Sequence, residues 1–497
     1  MLFRALAAGA LALSLAVLPA AAQAPADAFA SDVTQVVKVR DGALRGTVRD
    51  AVAYHLGVPY AAPPVGDLRW RPTAAPAPWT GERDASKPGA SCQASEDCLF
   101  LNVVRPANAR PGAKLPVMVW IHGGAYVIGT SMGAFGGDTE GTNFARQGIV
   151  HVSLNYRLGR AGWFAHPALT KEGATGNYGM MDQVAALKWV QANIAAFGGD
   201  PKNVTIYGES AGGISVLYLM LYPEAKGLFH KAIGQSAFAR HNPTPLKTAE
   251  AAGSKAAEAA GVTGDGPEAA AALRKIPLSA MPYSGSFVGR AGPILDGTWI
   301  AGGVAQGFAA GRQAKVPLMI GGNSNEASLV RPQPAQLDAL PEDRKAAVLK
   351  VFDPQETGDR ARVVNDLVTV QMITEPDRNA ARLHTRAGQR AYLYYFSHVP
   401  AAQKASQPYG ARHTDEIRFV FGAPAAKFDA ADKALSDAMT TFWANFAKTG
   451  APGAAGGVTW PRFDLAREPQ VEFADGQVAV REQFLKDWRD VVETAAR

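Results

Sequence analysis

The chain has 497 residues, of which 47% are apolar and 19% charged, with a formal net charge of +6. This is an ordinary globular composition, and the length allows either several domains or one large α/β sheet with insertions. Lysine and arginine are spread along the chain without a basic run, which argues against nucleic-acid binding.

The first residues, MLFRALAAGALALSLAVLPAAAQA, have the features of a secretory signal peptide. Arg4 precedes an apolar run, and Ala20 and Ala22 form a small-residue cleavage pattern that leaves Gln23 as the new N terminus. A retained membrane anchor is the alternative, but the apolar run is short and no later stretch approaches the length of a membrane span. We predict removal of residues 1–22 and a single domain over residues 23–497, in the bacterial periplasm or secreted.

The two cysteines, Cys92 and Cys98, are close in sequence. In an oxidising compartment they can close a short disulfide loop, and the alternative is two free buried thiols. The chain has no C-x-x-C pair and too few cysteines for a structural zinc site. We also expect that its chemistry needs neither a metal nor an organic cofactor.

Near-continuous apolar runs predict the strands of a buried sheet. They cover residues 115–124, 149–156, 204–208, 316–323 and 391–399. Residues 182–197 have apolar residues near helical spacing between two of these runs, and strand–helix–strand order is typical of a mostly parallel sheet. Residues 248–273 and 341–351 predict surface helices inserted over one end of the sheet.

Residues 208–212 read Gly-Glu-Ser-Ala-Gly, after a strand and before the helical run ISVLYLML. This context is the one that a nucleophile turn requires, because a tight strand-to-helix turn exposes the Ser210 hydroxyl at the sheet edge. The alternative is a turn that needs glycine only for packing. We interpret Ser210 as a nucleophile.

A serine nucleophile needs a base and an acid that orients the base, and in this fold they follow the serine in the order acid, then histidine. The candidate bases are His384, His398 and His413. The candidate acids are Glu326, just past a predicted strand, and Asp296, a turn residue. The pattern by itself does not choose among the histidines.

A second glycine-rich segment, HGGAY at residues 122–126, follows the first buried strand. Small residues there allow main-chain N–H groups to point at a developing oxyanion. Together with the serine turn, the segment predicts an acyl-transfer site.

Several motifs in register resemble the type B carboxylesterase and cholinesterase-like family of the α/β-hydrolase fold, in particular bacterial para-nitrobenzyl-esterase-like members. They include GVPYAAPPVGDLRW, EDCLFLNVVRP, the nucleophile region over residues 176–213, PILDG, GGNSNEAS, RHTDEIRFVFG and FWANFAKTG. The resemblance covers nearly the whole mature chain. It implies a large, mostly parallel central sheet flanked by helices, with helical insertions over the active site.

The resemblance also implies residue roles. Ser210 is the implied nucleophile, Glu326 the acid and His413 the base. The implied oxyanion donors are the amides of Gly124, Ala125 and Ala211, with Gly123 shaping the loop. Two departures from the family pattern are Ala327, where glycine usually follows the acid, and Ala125 in place of a third glycine.

Other family features concern residues outside the triad. Arg69 with Glu96, and Arg157 with Asp182, resemble internal ion pairs, and Cys98 aligns with a disulfide cysteine, which favours the Cys92–Cys98 bridge. Glu209 and Ser236 are candidates for a polar network around the triad.

The expected activity is hydrolysis of a small-molecule carboxylic ester through an acyl-serine. An amide, carbonate or polyester hydrolase would use the same residues, and a non-catalytic binding protein would have lost them. The substrate pocket is expected within residues 238–292 and 327–409, which contain scattered aromatic and arginine side chains (Tyr283, Phe287, Arg290 and Arg331). Leu329 and Val330 follow Glu326 without aromatic rings, which argues against a choline-type cation site. The physiological ester and the oligomeric state are not predicted.

Overall fold

The computed structural model describes residues 33–133, 139–173, 175–281, 291–422 and 428–496. The predicted signal peptide at residues 1–22 lies outside the described residues, as do Tyr283, Phe287 and Arg290.

The strands fall into one large sheet and two small ones. In chain order they are β1 Val33–Val39, β2 Gly42–Arg49, β3 Val52–Pro59, β4 Glu82–Asp84, β5 Phe100–Pro106, β6 Leu115–Ile121, β7 Val150–Leu154, β8 Gly199–Glu209, β9 Lys231–Gln235, β10 Thr244–Pro245, β11 Ile294–Leu295, β12 Leu318–Asn323, β13 Ala391–Phe396, β14 Ala454–Ala455, β15 Val458–Thr459, β16 Gln470–Ala474 and β17 Gln477–Arg481.

The large sheet has 13 strands in the order β1-β2-β3-β5-β7-β6-β8-β9-β12-β13-β16-β17, with β4 beside β2. Its centre, from β7 through β6, β8, β9, β12 and β13 to β16, is parallel. Antiparallel pairs extend it on both sides, from β1 to β5 and at β17. The parallel centre matters for function because its strands all end at one edge of the sheet.

The helices cover both faces of the sheet and its carboxyl edge. They are α1 Thr142–Arg146, α2 Gly159–Gly162, α3 Pro167–Thr170, α4 Tyr178–Asn193, α5 Ala211–Leu221, α6 Leu246–Ala259, α7 Pro267–Lys275, α8 Val304–Ala309, α9 Ala335–Asp338, α10 Glu342–Phe352, α11 Arg360–Thr369, α12 Glu375–Arg386, α13 Ile417–Phe421, α14 Ala430–Thr449 and α15 Lys486–Ala496.

The core lies on the two faces of the central strands. On one face, α4 and α5 pack against Val117, Val119 and Ile206. On the other face, α14 contributes Trp443 to a cluster with Trp120 and Tyr207. Strands covered on both faces must be apolar on both faces, which explains why they read as continuous apolar runs.

The predicted elements compare well with the observed ones, with two differences. The helix predicted over residues 182–197 begins earlier, at Tyr178, and ends as α4 at Asn193. The segment 248–273 forms two helices, α6 and α7, instead of one. Between the two helices, Gly261 and Gly264 have positive φ angles of 82° and 86°, and Pro267 is the first residue of α7. The chain therefore turns at residues that disfavour a continuous helix.

Two further observations concern covalent and membrane features. Cys92 and Cys98 form a disulfide. None of the helices described here has the length and apolarity needed to cross a membrane.

Candidate active site

Ser210 occupies the turn between β8 and α5, at the carboxyl edge of the sheet. Its backbone has φ 55° and ψ −121°. Residues other than glycine rarely adopt this conformation, which stores strain. The turn is held by two hydrogen bonds: the Ser210 amide donates to Gln235 O at 2.9 Å, and Ser210 O accepts from the Ile214 amide at 2.8 Å. The backbone of Ser210 is therefore held in a strained conformation.

The glycines around Ser210 are required by close backbone contacts. A Cβ added to Gly212 would lie 1.9 Å from Ile121 O, and one added to Gly208 would lie 2.6 Å from the same oxygen. Both glycines thus let β6, β8 and α5 approach more closely than any side chain would allow. The close packing that glycine permits and the position of Ser210 at the sheet edge are thus properties of the same turn, so the two interpretations of this motif do not exclude each other.

The structure brings together Ser210, His413 and Glu326. His413 Nε2 lies 2.9 Å from Ser210 Oγ, across 203 residues of sequence. His413 Nδ1 lies 2.5 Å from Glu326 Oε2. With the Nδ1 proton donated to Glu326, Nε2 is free to accept the hydroxyl proton of Ser210.

Strand ends explain why these side chains meet. Glu326 follows β12, and the loop after β13 returns to it through a bridge between Asn325 and Arg412. The His413 amide also donates to Ser328 Oγ at 3.0 Å. The segments that carry the acid and the base are therefore tied to each other by the backbone as well as by their side chains.

The Glu326 carboxylate is fully buried and its second oxygen is occupied. Glu326 Oε1 accepts from Ser236 Oγ at 2.5 Å and from the Asn323 amide at 2.7 Å. A Cβ on Gly322 would lie 2.7 Å from Oε1, so glycine leaves the space that the carboxylate needs. Ser236 thus belongs to the network around the triad, as the sequence suggested.

The alternative bases and acid have other partners. His384 Nε2 lies 2.8 Å from Val316 O, and His398 Nε2 lies 2.6 Å from Asp432 Oδ1. Asp296 accepts from the amides of its own turn, including Ile300 at 2.9 Å. Among the three histidines, the contact with Ser210 selects His413, and among the two acids, the contact with His413 selects Glu326.

Glu209 lies next to the triad. Its Oε1 is 3.2 Å from His413 Nε2, and the residue is 2% exposed. Burial raises the pKa of Glu209 well above its usual range. Burial lowers the pKa of His413, but the nearby carboxylates of Glu209 and Glu326 outweigh it and raise the pKa to about 9.

Sequence reasoning missed Glu416, which lies three residues after His413, in the turn just before α13. Its Oε1 accepts from Gln235 Nε2 at 3.0 Å and its Oε2 accepts from Asn323 Nδ2 at 2.6 Å. Burial, together with the charge of Glu326, raises the pKa of Glu416 to about 7. The only signal in the sequence is the spacing of three residues from His413.

The HGGAY segment forms a loop with unusual backbone angles beside the serine. Gly124, Ala125 and Tyr126 all have positive φ, at 103°, 51° and 60°. Tyr156 Oη donates to His122 O at 2.8 Å, and the two rings stack with centroids 4.5 Å apart. These contacts hold the start of the loop.

The amides of Gly124, Ala125 and Ala211 donate no hydrogen bond to another described residue. Ala211 is the first residue of α5, where backbone N–H groups and the helix dipole favour negative charge. A Cβ on Gly123 would lie 2.7 Å from Glu209 Oε2, so this glycine allows the loop to approach the nucleophile turn.

The two ion pairs expected from the sequence are present. Arg69 pairs with Glu96 through two contacts of 2.6 and 2.7 Å. Arg157 pairs with the fully buried Asp182 through two contacts of 2.8 Å. No group of three or more His, Cys, Asp or Glu side chains in the described ranges could hold a metal ion.

The fold and this arrangement of side chains define the protein as an α/β-hydrolase. The chain matches the carboxylesterase family over residues 33–488. It therefore belongs to the carboxylesterase family and is a carboxylic ester hydrolase, which confirms the resemblance found in the motifs.

Individual relatives agree with this assignment. A fumonisin B1 esterase from Sphingopyxis macrogoltabida is 33% identical over 504 residues, covering 93% of this chain and 90% of the relative. Human cocaine esterase is 33% identical, covering 82% of this chain and 81% of the relative.

Solved structures show the same similarity. A PNB esterase and the carboxylesterase of Geobacillus stearothermophilus are each 30% identical to this chain, with TM-scores of 0.78. Each alignment covers 92% of this chain and 99% of the solved chain.

Proposed function

We propose that the protein is a serine carboxylesterase that cleaves small-molecule esters through an acyl intermediate on Ser210. The observation that carries the proposal is the chain of contacts from Glu326 through His413 to Ser210 Oγ, at 2.5 and 2.9 Å. A serine hydroxyl is a weak nucleophile, and such a chain is what activates it.

In the first half of the reaction, Ser210 Oγ attacks the ester carbonyl carbon while His413 Nε2 takes the hydroxyl proton. Glu326 stabilises the imidazolium that forms and keeps its Nδ1 proton in place. His413 then returns the proton to the alcohol oxygen as the carbon–oxygen bond breaks. The alcohol leaves, and the acyl group remains as an ester of Ser210.

The tetrahedral intermediate carries negative charge on the former carbonyl oxygen. We assign the amides of Gly124, Ala125 and Ala211 as its hydrogen-bond donors. Two observations support this assignment. None of the three amides donates a hydrogen bond to another described residue, and all three border the turn that carries Ser210. Loss of one such donor costs on the order of 100-fold or more in rate.

In the second half, water replaces the alcohol. His413 takes a proton from the water as it attacks the acyl carbon, and the proton returns to Ser210 as the acid is released. Apart from the ester and the water, all the groups in this cycle belong to the chain itself. The same residues are chemically able to cleave amides, carbonates or polyesters, and a carboxylic ester is the substrate class that the family favours.

The cycle requires a neutral imidazole on His413. Since the pKa of His413 is raised to about 9, kcat/KM should rise as pH increases toward that value and fall in acid. A rate that stays flat from pH 5 to 9 contradicts the assignment of His413 as the base.

For localisation, we propose that residues 1–22 are a signal peptide and that residues 23–497 form one domain in the periplasm or outside the cell. This proposal is supported by the order of residues in the N-terminal segment, in which a positively charged residue is followed by an apolar run and then by small residues. A disulfide between Cys92 and Cys98 is also more common in oxidising compartments. N-terminal sequencing of the protein recovered from the periplasm or medium tests this.

The primary test is hydrolysis of p-nitrophenyl esters of increasing acyl length by the mature chain and by Ser210→Ala. We expect turnover by the wild type and a loss of roughly 10⁴-fold or more in the variant. If the wild type is inert, a fluorophosphonate probe should still label Ser210. A folded protein that neither turns over nor becomes labelled contradicts the proposal.

A further inference from the structure

Phe238 lies beside the triad on the loop that follows β9. Its ring centroid is 6.1 Å from the centroid of the His413 ring, and the two planes meet at 73°, in an edge-on contact. Phe238 is half-buried, in contrast to its buried neighbours Ala237 and Ala239. Phe238 is therefore partly accessible while its ring contacts the imidazole.

The position of Phe238 is imposed by a strained backbone. Ser236 and Phe238 each have a φ angle of 46°, in the left-handed region that aromatic residues rarely occupy. The Ser236 amide donates to Gly321 O at 2.7 Å, and Phe238 O accepts from the His241 amide at 2.7 Å. Strain of this kind persists only where surrounding contacts fix the chain, and it is concentrated at functional sites.

The residues that follow Phe238 anchor the same loop to three helices. Arg240 forms two bonds of 2.6 Å with the buried Glu375 of α12. His241 O accepts from the Val304 amide of α8 at 3.0 Å, and His241 Nδ1 lies 3.0 Å from Tyr218 Oη of α5. The backbone on both sides of Phe238 is thus held in place, which fixes the point from which the ring extends.

The chemistry of ester cleavage determines which part of the substrate passes this ring. His413 Nε2 must come within hydrogen-bond reach of the alcohol oxygen to protonate it as it leaves. The alcohol part of the ester therefore lies alongside the imidazole, whereas the carbonyl oxygen points to the oxyanion amides.

We propose that Phe238 is a specificity-determining residue that limits the size of the alcohol part of the ester. The inference rests on the proposed function, because it uses His413 as the acid that protonates the leaving alcohol. Small alcohols pass the ring unhindered, and branched or cyclic alcohols collide with it.

The test compares the wild type with Phe238→Ala on two series of esters. In one series the acid is butyrate and the alcohol is methanol, butanol or cyclohexanol. In the other the alcohol is methanol and the acid is acetate, butyrate or octanoate. Phe238→Leu is a milder variant, and Phe484→Ala removes a half-buried ring that contacts Tyr395 instead of His413.

In Phe238→Ala, we expect the ratio of kcat/KM for cyclohexyl over methyl butyrate to rise by roughly tenfold or more, within the range that pocket contacts supply. The octanoate-to-acetate ratio should stay within about twofold of the wild-type value. The cyclohexyl-to-methyl ratio of Phe238→Leu should lie between those of the wild type and Phe238→Ala. The contact is apolar, so the pH profile on methyl butyrate should coincide with that of the wild type. Phe484→Ala should change neither ratio.

Two results overturn the inference while leaving the proposed function intact. One is an active wild type whose cyclohexyl-to-methyl ratio does not change in Phe238→Ala. The other is a change in the acyl-length ratio instead, which would assign the ring to the acyl side. A wild type that hydrolyses none of these esters overturns the proposed function and this inference with it.

Discussion

Glu209 Oε1 lies 3.2 Å from His413 Nε2, the same nitrogen that lies 2.9 Å from Ser210 Oγ. The proton acceptor of the proposed reaction therefore has a buried carboxyl group beside it as well as the hydroxyl that it is to activate. When Glu209 is ionised, its negative charge stabilises the imidazolium and opposes loss of the imidazolium proton. This relationship leads to a prediction about the pH dependence of the enzyme.

Glu209→Gln should shift the acid limb of the kcat/KM profile to lower pH. The Glu209 charge contributes to the raised pKa of His413, so its removal lowers that pKa and leaves the base neutral in more acidic solution. A neighbouring charge at this distance shifts a pKa by about 1 to 3 units. The measurement is kcat/KM for a p-nitrophenyl ester between pH 5 and 10.

Glu209→Asp is the matched control for this prediction. It keeps the negative charge, so its acid limb should stay nearer to the wild-type position than that of Glu209→Gln. If both variants shift equally, the cause is a change in packing and not the charge.

Ser210→Gly should be more stable than Ser210→Ala by about 1 kcal/mol, although both lack the hydroxyl. The backbone at Ser210, with φ 55° and ψ −121°, is strained for alanine and accessible to glycine. Urea unfolding of the two variants under the same conditions measures the difference. Equal free energies of unfolding would show that the turn stores no strain at this residue.

Gly212→Ala should lower the free energy of unfolding by about 3 kcal/mol or more. Its new Cβ would lie 1.9 Å from Ile121 O, a backbone atom in the central sheet that has no free space to move into. Soluble yield and the midpoint of urea unfolding report the effect.

Gly266→Ala serves as the control, because the nearest atom is a carboxylate oxygen of the flexible Glu268 side chain at 3.1 Å. We expect a change of less than about 1 kcal/mol there. A mild effect at both glycines would mean that α5 can move away from β6.

Ser236→Ala should reduce kcat by roughly tenfold or more while the protein stays folded. The hydroxyl donates to Glu326 Oε1 at 2.5 Å, and a hydrogen bond to a charged group contributes about 1.5 to 3 kcal/mol. Only the Asn323 amide would then hold that oxygen, so the carboxylate would orient His413 less well.

The control for this prediction is Ser215→Ala, which removes a buried hydroxyl that contacts Gln183 and Tyr126 rather than the acid. Its kcat should stay much closer to the wild-type value. Equal losses in the two variants would indicate a general packing effect. Initial rates at saturating ester, together with circular dichroism, separate the two cases.

Reduction of the Cys92–Cys98 disulfide should lower the free energy of unfolding by about 2 kcal/mol, the value that the chain-entropy model gives for so short a loop. The two residues are separated by six positions. Urea unfolding with and without dithiothreitol measures the change in the wild type. The double variant Cys92→Ser/Cys98→Ser should be insensitive to dithiothreitol, and an insensitive wild type would contradict the prediction.

Much of the fold was predictable from local sequence. Residues 115–124 and 316–323 read as strands because a parallel strand covered on both faces is apolar throughout, and β6 and β12 lie within them. The antiparallel strands β1, β2, β3 and β5 were not predicted. The pattern of β2 is mixed because the strand is partly exposed, whereas β3 and β5 are mostly buried but carry polar residues such as His55 and Asn102 that interrupt their apolar runs. The break between α6 and α7 had a local signal in Gly261, Gly264 and Pro267, which the alanine-rich composition concealed.

Some residues of the candidate site were likewise predictable from local sequence, and others were not. Ser210 was recognisable because a strand, a tight turn and a helix are encoded consecutively within residues 204–221. The glycines in this segment indicate close backbone contacts that larger residues would prevent. Glu416 and Phe238 had no comparable signal, because their positions depend on partners far away in the chain.

The sequence by itself determined the strand–turn–helix that carries the nucleophile, the glycine-rich loop beside it and the set of candidate acids and bases. The family resemblance pointed to His413 and Glu326, but only the tertiary structure placed His413, rather than His384 or His398, against Ser210 and placed Glu326, rather than Asp296, against His413. The physical reason is that parallel strands end at one edge of the sheet, which brings together side chains 203 residues apart. Which of those side chains meet depends on backbone hydrogen bonds between loops, and these are absent from any local pattern.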